Sequence, residues 1–180
     1  MNASRQTVRL LLLPLTLLAG GCGGSPDSEP AKEPLVINAC ALFTPDDAKA
    51  IAGEVSGTMT STFSEAKGGD PGSCVYISGS AAAPRVLSLE VRQFPTAKTA
   101  ARTQENSRST LDRLSRGTLQ EVPGLGDGAL WVGGALQQMH VLRKHLQLVI
   151  TIQSTDGQDQ RAVAEGVAAR ALERLKGAGL

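Results

Sequence analysis

Aromatic side chains are scarce: Phe43, Phe63, Phe94, Tyr76 and Trp131 are the only five in 180 residues. So few rings leave single-strand stacking platforms and lectin-like sugar contacts with little to build on. An excess of either charge is also missing, with 18 Lys and Arg against 17 Asp and Glu and a formal net charge of +1. That balance excludes the clustered basic footprint of a nucleic-acid binder. The longest apolar run, Leu10 to Ala19, contains Pro14 and is half the ~20 residues that a transmembrane helix needs. Histidine occurs twice, at His140 and His145, five positions apart. On a continuous strand they point to opposite faces and hold no metal together, and the isolated cysteines show no ligand spacing either. No cofactor and no metal are expected. Glycine is plentiful at 20 residues, but without a collagen period.

What is present at the N-terminus is a targeting pattern. Met1–Arg9 carries Arg5 and Arg9 and no acid, an apolar run follows, and the small residues Ala19-Gly20-Gly21 lead to Cys22. These are the three regions of a secretory signal, assigned to residues 1–21. Ala19-Gly20-Gly21-Cys22 resembles the lipobox of bacterial lipoproteins, although Ala19 stands where Leu is usual and Leu18 lies one step back. That resemblance implies cleavage before Cys22, a thioether-linked diacylglycerol on its sulfur, and a further acyl chain such as palmitate on its freed amine. Two or three chains anchor stably where one, at about 0.8 kcal/mol per buried methylene, is marginal.

The cysteine count fits. Three cysteines in a secreted chain need an explanation. If Cys22 is lipidated, Cys40 and Cys74 remain as a pair in an oxidising compartment, where a disulfide is expected. Residues 22–34, rich in Gly, Pro and charge, read as a flexible tether of at most ~40 Å. The mature chain carries 16 cations against 17 acids, a net charge that by itself points to no membrane-surface or nucleic-acid partner.

Residues 35–180 read as a single domain. Thr44-Pro45-Asp46-Asp47 opens a helix that Gly53 can end. Thr58–Ser64 alternates as a half-exposed strand, and Gly68–Gly72 is a turn. Cys74–Ser78 and Arg85–Phe94 are further strands, followed by a helix over Thr96–Ser115 with a thin stripe of Ala97, Ala100, Ala101, Leu111 and Leu114. Its five cations and two acids read either as a surface for phospholipid or polyanions, or, as favoured here, as a solvated face with pairs such as Asp112–Arg116. Gly128–Val132, Gln137–Arg143 and Leu146–Gln153 are strands, with Lys144-His145 as a hairpin connection. Gln158–Leu175 is an amphipathic helix. The pattern predicts an α+β fold, an antiparallel sheet with helices over one face, and at most a pseudo-repeat of strands followed by a helix.

The domain resembles a group of small lipoproteins, common in actinobacteria, that carry a domain of unknown function. The likeness rests on Cys40-Ala-Leu-Phe-Thr44 with Asp46-Asp-Ala48, on Cys74-Val-Tyr76, and on Val122-Pro-Gly-Leu-Gly-Asp-Gly-Ala129 with Trp131 beyond it. It spans about residues 35–175 and implies an extracytoplasmic location and a Cys40–Cys74 pair, with no catalytic residues to carry over. Gly124-Leu-Gly-Asp-Gly128 precedes a strand and lacks the strand–loop–helix setting of a nucleotide loop, so a turn capped by Asp127 is expected. No nucleophile elbow or triad pattern is present. The expected function is that of a cell-envelope protein, anchored to the membrane through Cys22, whose non-catalytic domain binds an envelope protein or a small ligand. The alternatives are a small secreted hydrolase or an inhibitor-like accessory subunit.

Overall fold

The computed structural model describes residues 37–53, 72–80 and 83–180, all within the unit from Lys32 to Leu180. The signal segment, Cys22, the tether and the predicted strand Thr58–Ser64 lie outside the described residues.

A short helix, α1 (Ala39–Leu42), starts where the Asn38 side chain accepts the Cys40 N–H at 2.9 Å. Helix α2 (Pro45–Ala52) starts as its sequence predicts. Thr44 accepts the Asp47 N–H, the Asp47 carboxylate accepts the Thr44 N–H at 2.9 Å, and Pro45 occupies the first turn. Gly53 closes it at φ +86°.

Six strands follow: β1 (Gly72–Ser80), β2 (Ala83–Gln93), β3 (Leu119–Glu121), β4 (Gly128–Val132), β5 (Gln137–Arg143) and β6 (Leu146–Ser154). They form one sheet in the order β1-β2-β6-β5-β4-β3, with every neighbouring pair antiparallel. Arg143 pairs with Leu146, so Lys144-His145 is the two-residue hairpin connection, with Lys144 at φ +53°. Helix α3 (Ala97–Leu114) carries the chain from β2 to the far edge. The strands β3 to β6 then return step by step until β6 lies against β2.

One face of the sheet is apolar through its centre. Tyr76, Leu87, Leu89, Trp131, Met139, Val141 and the even-numbered residues Leu146 to Ile152 pack against α1, α2 and α4 (Arg161–Gly177). Helix α4 meets them with Ala164, Val167, Ala168, Ala171 and Leu175, three of them alanines. Trp131 is 1% exposed, a core residue.

The α+β class and the antiparallel sheet agree with the sequence pattern. The helices, however, do not all share a face. Leu111 of α3 packs on Leu130 and Val132, whose side chains leave β4 on the side opposite Trp131. Strands β4 and β6 bury residues on both faces, and α3 covers the second. Strands followed by a helix do recur, as β1-β2-α3 and β3-β6-α4, but the two helices take opposite sides.

The expected Cys40–Cys74 disulfide is present, joining α1 to β1 across 34 positions of sequence. Beside it, Phe43 and Tyr76 meet edge to face at 5.3 Å, and the Tyr76 hydroxyl donates to the Phe43 carbonyl. The bridge closes a loop whose chain-entropy value is roughly 3–4 kcal/mol. Replacing both cysteines by Ala should therefore lower the unfolding free energy by a few kcal/mol in denaturant titration. An unchanged midpoint would show that the bridge does not support the fold.

Candidate functional site

Helix α3 is held to the sheet by few residues. Of its 18, only Ala100, Gln104 and Leu111 are buried. Ala97, Ala101 and Leu114 of the predicted stripe are exposed, Leu114 to 55%. Gln104 falls on the inward face because it follows Ala100 by four positions and precedes Leu111 by seven. Its side-chain oxygen accepts from Gln147 of β6 at 3.3 Å in the interior.

The sheet beneath is polar where the other face is apolar. Gln138 donates to Thr151 at 2.9 Å, and His140 meets the Gln138 side chain at 3.2 Å. Glu90 and Arg92 of β2 pair with each other on the same face. These are partnered groups, so the partly buried layer costs little.

Between α3 and the loop joining β3 to β4 lies a cleft of about 640 Å³. Val122, Leu125, Ala129 and Leu130 supply its apolar lining, while Gln104, Arg108, Glu121 and Asp127 supply polar groups. Arg108 reaches across from the helix to Glu121 of β3 at 2.7 Å. The loop is shaped by glycine. Gly124 and Gly126 have φ of +79° and +64°, and a Cβ on Gly126 would lie 2.3 Å from the Leu142 carbonyl oxygen. The loop thus sits hard against β5. Asp127 acts as a cap, but on a neighbouring turn. Its carboxylate accepts the Lys144 N–H and the Arg143 guanidinium at 3.3 Å, and its own N–H donates to Leu142 O at 2.8 Å.

The two histidines stay apart, as their spacing requires. His145 sits in the hairpin turn against Gln93, and His140 is 8% exposed on β5. Burial, aided by the Arg92 charge, pushes the His140 imidazole down to about 4. The Asp112–Arg116 pair expected from spacing does not form. Arg116 lies beyond the end of α3 in a left-handed conformation, φ +54°, which takes it off the helical ladder. Among the described residues, no three of His, Cys, Asp and Glu stand together as a metal-ligand group. Gln104 and the Arg108–Glu121 pair were missed by the sequence reading. The available signal was a glutamine inside an otherwise apolar helical stripe.

Comparison with protein-family models, with curated proteins and with solved structures finds no match.

The His140 environment gives a pH dependence. Its folded-state value lies below the ordinary 6.5, so the unfolded chain binds the extra proton between those limits. Stability is full above about pH 6.5 and falls as pH drops toward 4, by up to about 3 kcal/mol. His140→Gln should flatten the unfolding free energy across that window. An unaltered slope in the variant would show that other groups set it.

Proposed function

We propose that this chain is a lipid-anchored protein of the cell envelope whose extracytoplasmic α+β domain binds a protein partner or small ligand without catalysing a reaction. The observation that carries the location is the Cys40–Cys74 disulfide. It accounts for two of three cysteines and fits an oxidising compartment, and it leaves Cys22, next to its small residues and apolar run, as the lipid-bearing one. The pairing, the Asp46-Asp47 helix start and the Gly124–Gly128 loop are also the features that liken the chain to the actinobacterial lipoproteins. In this reading residues 22–34 hold the domain away from the bilayer.

The cleft under α3 supports the binding role. It is concave and lined by Val122, Leu125, Ala129 and Leu130 together with a few polar groups, the usual make-up of a ligand site. Its polar side chains are tied to one another, Arg108 to Glu121, Gln104 to Gln147 and Asp127 to the β5–β6 turn. Groups held in this way recognise and orient a ligand; none is a nucleophile beside a base. Among the described residues, no helix is long and apolar enough to cross a membrane.

Cys22→Ser should abolish lipidation and processing, leaving a precursor that keeps residues 1–21 and migrates more slowly than the mature protein. Unchanged electrophoretic mobility would refute the anchor. For the cleft, a photo-crosslinking residue in place of Leu125 should capture a discrete adduct in intact cells, while one in place of exposed Ala169 on α4 should not. Equal or absent adducts at both positions would refute the cleft as the binding site.

A further inference from the structure

The outward side of α3 holds cations that nothing in the fold neutralises. With 3.6 residues per turn, Lys98, Arg102 and Arg113 lie roughly opposite the buried Ala100, Gln104 and Leu111. All three are exposed, as is Arg116 just past the helix end. Among the described residues no ion pair engages any of the four; Arg108, on the flank, is the one α3 cation that is paired, to Glu121. Between the cations the outward surface is short and uncharged, with Asn106, Ser109 and Thr110, and the two acids, Glu105 and Asp112, lie along one flank. Leu114, 55% exposed at the C-terminal turn, lies about 100° around the helix from Arg113, on the side of Leu111, and is not part of this outward surface. Residues 96–116 contain five cations and two acids, leaving 11 cations against 15 acids in the rest of residues 22–180. The positive charge is therefore concentrated on one helix of an otherwise acidic chain.

We propose that α3 is a docking surface for anionic phospholipid, laying the domain on the bilayer with Arg102, Arg113, Arg116 and Lys98 against headgroup phosphates. Guanidinium groups bind phosphate through paired N–H donors. The inference rests on the anchored reading above for its setting in the cell. A tether of at most ~40 Å keeps the helix near the leaflet, where its high effective concentration lets individually weak contacts hold. Docking by α3 turns the apolar face, with α1, α2 and α4, away from the membrane. It also places the cleft, which α3 borders, next to the lipid surface.

The test uses the unit from Lys32 to Leu180, which contains the whole described core and lacks Cys22, so that no anchor contributes. In flotation with vesicles at low salt, the protein should bind phosphatidylglycerol-containing vesicles, bind phosphatidylcholine vesicles weakly, and dissociate as salt rises. Each Lys or Arg near an anionic leaflet is worth about fivefold in partitioning, so Arg102→Gln, Arg113→Gln and Arg116→Gln together should weaken binding on the order of 100-fold. The three side chains are exposed, and an unchanged thermal unfolding curve should confirm that the variant folds. The proposal is overturned if the triple variant floats like the parent, or if both vesicle types bind equally. It is also overturned if the parent fails to bind at low salt, or is held by a soluble polyanion such as heparin and not by vesicles. Vesicle binding with an unlipidated Cys22 in cells would refute the anchor alone. A lipidated Cys22 without vesicle binding would refute the docking surface alone.

Discussion

The N-terminal helices hold to the sheet through a crosslink and the contacts gathered around it. The Cys40–Cys74 bridge binds α1 to the edge strand β1, and the Phe43–Tyr76 ring contact and the Tyr76 hydroxyl fill the space beside it. One turn later, Asp47 is shared between the Thr44 cap and Arg174 of α4 at 2.6 Å, and Arg174 also donates to the Leu42 carbonyl at 2.8 Å. Burial pushes the Asp47 carboxyl up, but hydrogen bonds from Arg174 and Thr44 outweigh it and hold the group at about 2. That part of the structure keeps its charge pairing through the range where His140 would lose its neutrality, and fails only as pH falls from the ordinary carboxylate value toward 2. Covalent closure of α1 on β1 and the ion pair between α2 and α4 thus support the helices that cover the apolar face.

The two faces of the sheet are built on different chemistry. One is closed by interlocking aliphatic side chains, which any separation would expose to water. The other is closed by a helix that contributes an alanine, a glutamine and a leucine, over strands bearing Gln138, His140, Gln147 and Thr151. Few side chains hold α3 down, Ala100, Gln104 and Leu111, with the buried Gln104–Gln147 contact as its polar tie to β6. The cleft and the unpaired cations both belong to this less tightly held layer. Binding surfaces are commonly placed on such elements, carried by a more rigid scaffold.

Much of the architecture was legible because the signals are local. The alternation of Leu146, Leu148, Ile150 and Ile152 against Gln147 and Thr151 has period two, and the strand is there. Thr44-Pro45-Asp46-Asp47 is a complete helix start within four residues. Helix α1 and strand β3 are four and three residues long, too short to show a period, and both went unread. Asp127 was readable as a cap, but its partner turn lies 17 positions away and only the fold brings it near.

By itself the sequence determined most of the elements, the antiparallel α+β class and the expected cysteine pairing, together with the expectation of an anchored N-terminus. Each follows from neighbours in the chain or from a count of residues. Only the tertiary structure decided which face α3 covers. That choice depends on β6 lying between β2 and β5, so that the chain must cross from β2 to the far edge before it can return. The crossing buries Gln104, leaves Arg102, Arg113 and Arg116 outward without partners, and opens the cleft against the glycine loop. Helical spacing alone could not say this, because a thin stripe of alanine and leucine fits either face of a sheet, and the polar residues that meet it come from strands distant in sequence.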